Sequence, residues 1–213
     1  MITLWHCAGA RSFRALWALE EMGLDYELRP MAFPPRLKEP GYLELNPLGT
    51  VPTFRDGETL MTESAAICEY LAACYAPDLA VLPKEVGYGA YLNFLHMSDA
   101  TLTFPQTLVL RYSRLEPPER RLPQAAADYA QWFHSRLRGA MKLMGDEEYA
   151  AAGRFTVADI AIAYALKLAD SLGLAERFPD AAKAYFERMR ARDGYQRALT
   201  RESLGPSALA TPT

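Results

Sequence analysis

The sequence predicts two unlike halves, an α/β unit at the amino end and an all-α unit after it. Three observations predict this division. Short apolar runs and a hairpin signal all fall before residue 62, a stretch bracketed by two prolines (Pro77 to Pro83) follows, and every later apolar pattern has helical spacing.

Ile2 to His6 is short, apolar and partly β-branched, and Gly9 breaks the run, so it reads as a strand and a turn. In RSFRALWALEEMGL, Phe13, Leu16, Trp17, Leu19 and Met22 recur at helical spacing, and Gly23 stands where a helix end favours a left-handed residue. DYELRPMAF alternates as a second strand, which implies a parallel β-α-β unit with a right-handed crossover. PPRLKEPGYLELNPLG is rich in turn formers and has room for one short helix. VPTFRDGETLMT reads as a hairpin, with one strand from Val51 to Phe54, a turn at Asp56-Gly57 and a second strand ending near Met61. TESAAICEYLAACYA follows as an amphipathic helix whose apolar stripe is Ala66, Ile67, Tyr70, Leu71 and Cys74.

The expected division is therefore a first domain over 1–76, a linker over 77–85 and an all-helical domain over 86–202. Helices are expected at about 86–114, 121–144, 157–172 and 179–191. Residues 203–213, small and polar with prolines, read as a loose tail.

Composition narrows the function. Half of the 213 residues are hydrophobic and 23% are charged, the profile of a folded globular chain. Lys and Arg total 23 against 26 Asp and Glu, with no block of like charge to track a phosphate backbone, so nucleic acid is not an expected partner. Cys7, Cys68 and Cys74 form no CxxC pair, which fits a reducing compartment better than a disulfide framework. Three scattered histidines and three scattered cysteines offer no zinc spacing. With neither a basic leader nor an apolar run of about 18 residues, the expected location is the cytoplasm, without a membrane span.

Three motifs sharpen the reading. The first is NPLGTVPTF, residues 46–54; the second is Thr62-Glu63-Ser64-Ala65-Ala66-Ile67, at the start of a helix; the third is Phe155-Thr156-Val157-Ala158-Asp159-Ile160-Ala161. Together with the β-α-β, β-β-α order and the helical second half, they resemble the cytosolic glutathione transferase family over roughly residues 1–195. The resemblance implies a thioredoxin-like first domain, an all-α second domain and glutathione as co-substrate. It makes Pro52 a cis-proline, with Thr50 and Val51 beside it, so that the Val51 N–H and C=O pair with the cysteinyl backbone of glutathione. It gives Ser64 the γ-glutamyl carboxylate and Glu63 the ammonium group, at a helix N-terminus that favours anions. Read without the resemblance, Thr62 or Ser64 is a plain N-cap. The third motif is implied to be structural, with Thr156 capping the helix and Asp159 returning a bond.

The reaction needs glutathione as thiolate, because a free thiol with a pKa near ~8.5 is mostly protonated at neutral pH. The family places a Tyr, Ser or Cys donor just after the first strand. Here the serine-type position falls on Gly9 or Ala10 and the cysteine-type position on Arg11. The stretch Arg11-Ser12-Phe13-Arg14 resembles the Arg-Ser-x-Arg pattern of a bacterial and fungal branch, which makes Ser12 the hydroxyl donor, aided by the Arg11 charge. Ser12 also fits a simple N-cap. Cys7 fits either a mixed-disulfide thiol or an inert buried one, and His6 either a base or a packed ring. Tyr91, Phe94, Met97, Phe104 and Tyr112 fit a core stripe; the resemblance makes them the wall of an apolar site for an electrophile.

The function so implied is conjugation of the glutathione thiolate to an electrophilic apolar molecule, with peroxide reduction as a related activity. The alternatives are glutathione-dependent disulfide exchange or isomerisation, and a non-catalytic glutathione-binding module. A homodimer is expected from the resemblance and from the apolar surface a small first domain leaves uncovered.

Overall fold

A computed structural model describes residues 1–205. In chain order the first elements are β1 (Ile2–His6), α1 (Ser12–Met22), β2 (Tyr26–Pro30), α2 (Pro35–Lys38), α3 (Tyr42–Leu45), β3 (Thr53–Asp56), β4 (Thr59–Met61) and α4 (Ser64–Tyr75). The helices α5 (Tyr88–Met97), α6 (Phe104–Leu110), α7 (Pro123–Met144), α8 (Val157–Ser171), α9 (Asp180–Arg190) and α10 (Asp193–Glu202) follow. The chain divides into two compact units, one of residues 1–80 joined by the chain from Arg190 onward, the other Val81–Met189.

The sheet of the first unit has the order β2-β1-β3-β4. β1 and β2 run parallel, with Leu4 beside Leu28, while β3 lies antiparallel to β1, with Leu4 beside Phe54. β4 returns antiparallel to β3, and the whole is thioredoxin-like. The first strand of the hairpin begins at Thr53 rather than Val51, because Pro52 has no N–H to give a ladder. Its turn accordingly lies at Gly57-Glu58, one residue later than expected. Two short helices, α2 and α3, occupy the turn-rich stretch where one was expected. Both Phe33–Pro34 and Val51–Pro52 are cis.

α1 is buried from Ser12 to Glu20, because α4 packs on one side of it and α10 on another. This corrects the sequence division, which gave the chain up to residue 202 to the helical domain and read no helix after 191. α10 carries few apolar residues, and Tyr195 and Ala198 are its buried ones, so its apolar pattern is faint. It is held instead by Tyr195, whose ring meets Phe13 and Trp17 edge-on, and by ion pairs of Arg197 and Arg201 with Glu20. Arg192 pairs with Glu21. Gly194 permits this approach, since a Cβ there would stand 2.9 Å from the Glu21 Cα. The last eight residues of the expected tail lie outside the described residues.

In the second unit the helix expected over 86–114 runs as α5, a π-helical stretch Ser98–Thr103, α6 and a second π-helical stretch Arg111–Leu115. Pro105 has no N–H and its ring cannot fit against a regular preceding turn, which widens the helix ahead of it. The Thr103 hydroxyl donates to the Ser98 carbonyl at 2.6 Å within that wide stretch. α8 forms the centre, buried without a break from Val157 to Leu166. Its N-terminus carries the predicted capping box, in which the Thr156 N–H donates to Asp159 Oδ2 at 2.9 Å. No helix among the described residues is long and apolar enough to cross a membrane.

Candidate functional site

The loop of the first motif is shaped by a residue to which the sequence reading gave no role. Asn46 is fully buried, and its Nδ2 donates to the Thr50 carbonyl at 2.9 Å and to Thr53 Oγ1 at 3.1 Å. Its Oδ1 accepts from the Leu48 N–H at 3.0 Å, and the Tyr42 hydroxyl adds a second bond to the Thr50 carbonyl at 2.6 Å. The loop is thereby fixed at both ends. Val51 packs, half-buried, on the cluster of Trp5, Cys7, Met31 and Tyr42, as does Ala10 from the β1–α1 turn.

Next in the chain is the N-terminus of α4. Glu63 is exposed and extended, Ser64 is the first helical residue, and no side chain caps the helix. The plain N-cap reading of Thr62 or Ser64 therefore does not describe this end. The first-turn N–H groups of an uncapped helix have no intrahelical acceptors, and they carry the positive end of its dipole. Arg14, fully buried on α1, donates from Nη1 to the Ser64 hydroxyl oxygen at 2.9 Å. That contact joins the starts of α1 and α4. The sequence reading quoted Arg14 within its Arg-Ser-x-Arg stretch but gave it no function, since nothing in a linear pattern says that residues 50 apart touch.

The β1–α1 turn is the third part. The Ala10 N–H donates to the Cys7 carbonyl at 3.0 Å, and Gly9 takes φ +80, which a side chain would disfavour. Ser12 is 0% exposed; its Oγ accepts from the Cys7 N–H at 3.2 Å and donates to the Cys7 carbonyl at 3.3 Å. A hydroxyl so engaged is not offered to a ligand, so the donor role read from sequence does not fit this geometry. Arg11 sits half-buried at the N-cap position of α1. Cys7 is likewise 0% exposed, and burial, with a smaller contribution from Glu39, pushes its thiol up to about 12. It is the inert buried cysteine, not the reactive one. His6 is buried as well.

The five aromatic and Met candidates of the second unit separate by burial. Tyr91 and Phe94 are core residues at 1% and 3% exposure, which removes Tyr91 as a pocket wall, while Phe94 lines a cavity of about 300 Å³ with Val86, Ala90, Leu143 and Tyr149. Met97 and Tyr112 are half-buried, and Phe104 is 48% exposed against Trp132.

A thioredoxin-like sheet in the first unit and an all-helical second unit define a two-unit fold of α/β and all-α parts. The family model described as glutathione S-transferase, N-terminal domain, matches residues 9–74. Glutathione S-transferase 3 of Schizosaccharomyces pombe is 35% identical over 103 residues, 48% of this chain and 43% of that relative, less than half its length. Glutathione S-transferase hmp2 of Hypomyces subiculosus is 30% identical over 169 residues, covering 74% of this chain and 78% of the relative. Among solved structures, the theta class glutathione S-transferase of Xanthomonas axonopodis pv. citri, with glutathione bound, is similar at 27% identity. Its TM-score is 0.77, over 92% of this chain and 96% of that one. The chain belongs to the glutathione S-transferase family.

Proposed function

We propose that this protein is a glutathione transferase that joins the glutathione thiolate to an electrophilic, largely apolar small molecule. The observation that carries the reading is the uncapped start of α4, with the Ser64 hydroxyl bonded to the buried Arg14. A helix of 12 residues ending in open N–H groups is suited to a carboxylate, and the γ-glutamyl group supplies one. In this reading Ser64 and the first-turn amides hold that carboxylate and Glu63 holds the ammonium group. Val51, presented by the Asn46-braced loop with Thr50 and Pro52, pairs with the cysteinyl backbone through its own N–H and C=O.

That places the sulfur toward the β1–α1 turn. There the Arg11 cation and the positive end of α1 favour thiolate over thiol. The thiolate attacks the electrophilic carbon, a C–S bond forms, and the leaving group departs with its electron pair. Of the five candidates in the second unit, Met97, Phe104 and Tyr112 keep surface outside the core, and this reading assigns them to the electrophile. We further propose a cytoplasmic homodimer acting in detoxification, which the family membership and the cysteine usage support.

The burial of Ser12 favours one second reading, a glutathione-binding module without turnover. Retention on immobilised glutathione together with turnover of chlorodinitrobenzene is the expected result for the transferase. Retention with no turnover of that or other electrophiles would leave the binding module, and failure to be retained would sink both.

A further inference from the structure

The β1–α1 turn is bonded within itself and, at Gly9, to the far end of the chain. Ser12 Oγ takes the Cys7 N–H, and the Ala10 N–H closes on the Cys7 carbonyl. The Gly9 N–H, by contrast, donates at 2.7 Å to Oε1 of Glu202, 193 positions later in the chain. Glu202 is only 8% exposed, and the same Oε1 lies 3.8 Å from Nε2 of the buried His6, the last residue of β1. A carboxylate so far removed from water is retained where it meets donors, because burying an uncompensated charge is costly.

Nothing about that reach is incidental to the packing of α10. The helix is seated along α1 by Tyr195 against Phe13 and Trp17 and by the pairs Glu20–Arg197, Glu20–Arg201 and Glu21–Arg192. The Arg197 guanidinium also donates to the Glu20 carbonyl at 2.5 Å. With these fixing the helix, its final residue arrives beneath the turn. All of these contacts lie within the first unit.

We infer that Glu202 is a positioning residue for the transferase chemistry: it pins the Gly9 turn so that Arg11 and the start of α1 keep a fixed station beside the glutathione sulfur. The inference rests on the transferase reading of the site. A charge-assisted bond to a backbone N–H is among the stronger hydrogen bonds of a protein. Catalysis is sensitive to small displacements of groups that must face developing or resident charge. Glu202 touches no reacting atom. Its effect passes through the turn, so glutathione affinity, set at Val51 and Ser64, stays while the ionisation of the bound thiol moves.

The test compares the whole chain with its Glu202→Ala and Glu202→Gln variants. The readouts are kcat and KM for glutathione, the pH titration of bound glutathione by thiolate ultraviolet absorbance, and hydrogen exchange at the Gly9 amide. For Glu202→Ala we expect kcat down about tenfold with KM for glutathione within about twofold, and the bound thiol titrating roughly one unit higher. Gly9 exchange should be faster in the same variant. Glu202→Gln keeps an acceptor oxygen and should recover most of kcat and of the Gly9 protection. The proposal is overturned if Glu202→Ala changes only thermal stability, or if Glu202→Gln is as impaired as Glu202→Ala. If wild-type protein binds no glutathione, the transferase reading fails and this role falls with it; if wild type binds and turns over while Glu202→Ala matches it, only the positioning role fails.

Discussion

Ser12 accepts from one main-chain group of Cys7 and donates to another, so removing its hydroxyl leaves a buried N–H without that acceptor. Ser12→Ala should therefore lose about 1–3 kcal/mol of stability, a Tm lower by roughly 5 °C, with kcat reduced by no more than about threefold. Arg11→Ala should behave in the opposite way, with Tm nearly unchanged and kcat lower by about tenfold, equivalent to ~1.4 kcal/mol in the barrier. Thermal melts beside steady-state kinetics decide it. A Ser12→Ala variant that melts like wild type but has lost its turnover would restore the hydroxyl as the direct donor to sulfur. The contrast shows why some of the site was legible and some was not. The cis bond ahead of Pro52 and the helix that opens at Ser64 lie in two contiguous motifs, and backbone features that depend on a contiguous string can be read from it. Whether Ser12 faces a ligand or the Cys7 main chain depends on a turn of five residues folding back on itself, which no residue type discloses. Arg14 and Asn46 act through partners brought near only by the fold.

At the scale of an element, α8 shows what a motif can promise. Asp159 is buried, and it accepts from the Thr156 N–H at 2.9 Å, the Ala150 N–H at 2.8 Å and the Tyr185 hydroxyl at 2.8 Å. Burial pushes its carboxyl up, and these donors offset part of that. Asp159→Ala leaves these three buried donors and the Thr156 hydroxyl without this acceptor, and a loss of about 3–5 kcal/mol is expected, roughly 10 °C or more in Tm. The KM for glutathione of whatever remains folded should be that of wild type, measured well below the melting range. A variant equally stable but unable to bind glutathione would make Asp159 part of the site instead of the scaffold. The capping box was legible because its two residues are three apart on one helix turn. α10 was not, because its hold on α1 is mostly ionic and uses Glu20 and Glu21 from the far end of the chain. The widened turns near Pro105 escaped because the string marks only a residue without an N–H, and whether such a residue ends a helix or widens it depends on packing.

The first unit closes on itself, for it is begun by β1 and completed by α10, some 190 residues later. Such a unit cannot bury the α1 face carrying Phe13 and Trp17 until the end of the chain is present. Contacts this distant in sequence are also slow to form, because the loop must close before any contact rewards it. A chain stopped after Met189 keeps every strand of the sheet, the Val51–Pro52 loop, the start of α4 and the second unit. It loses Tyr195 from the Trp17 ring and the counter-ions of Glu20 and Glu21. If the sheet and its two flanking helices were self-sufficient, this shorter chain would melt cooperatively near the wild-type Tm and be retained on immobilised glutathione. The packing argues otherwise: α1 would expose an aromatic face and two partly buried carboxylates at once. The expected result is loss of the near-ultraviolet dichroism of Trp17, aggregation on concentration and no retention on glutathione. Adding residues 190–205 as a separate peptide should restore part of the retention, and the same peptide with Tyr195→Ala should restore less.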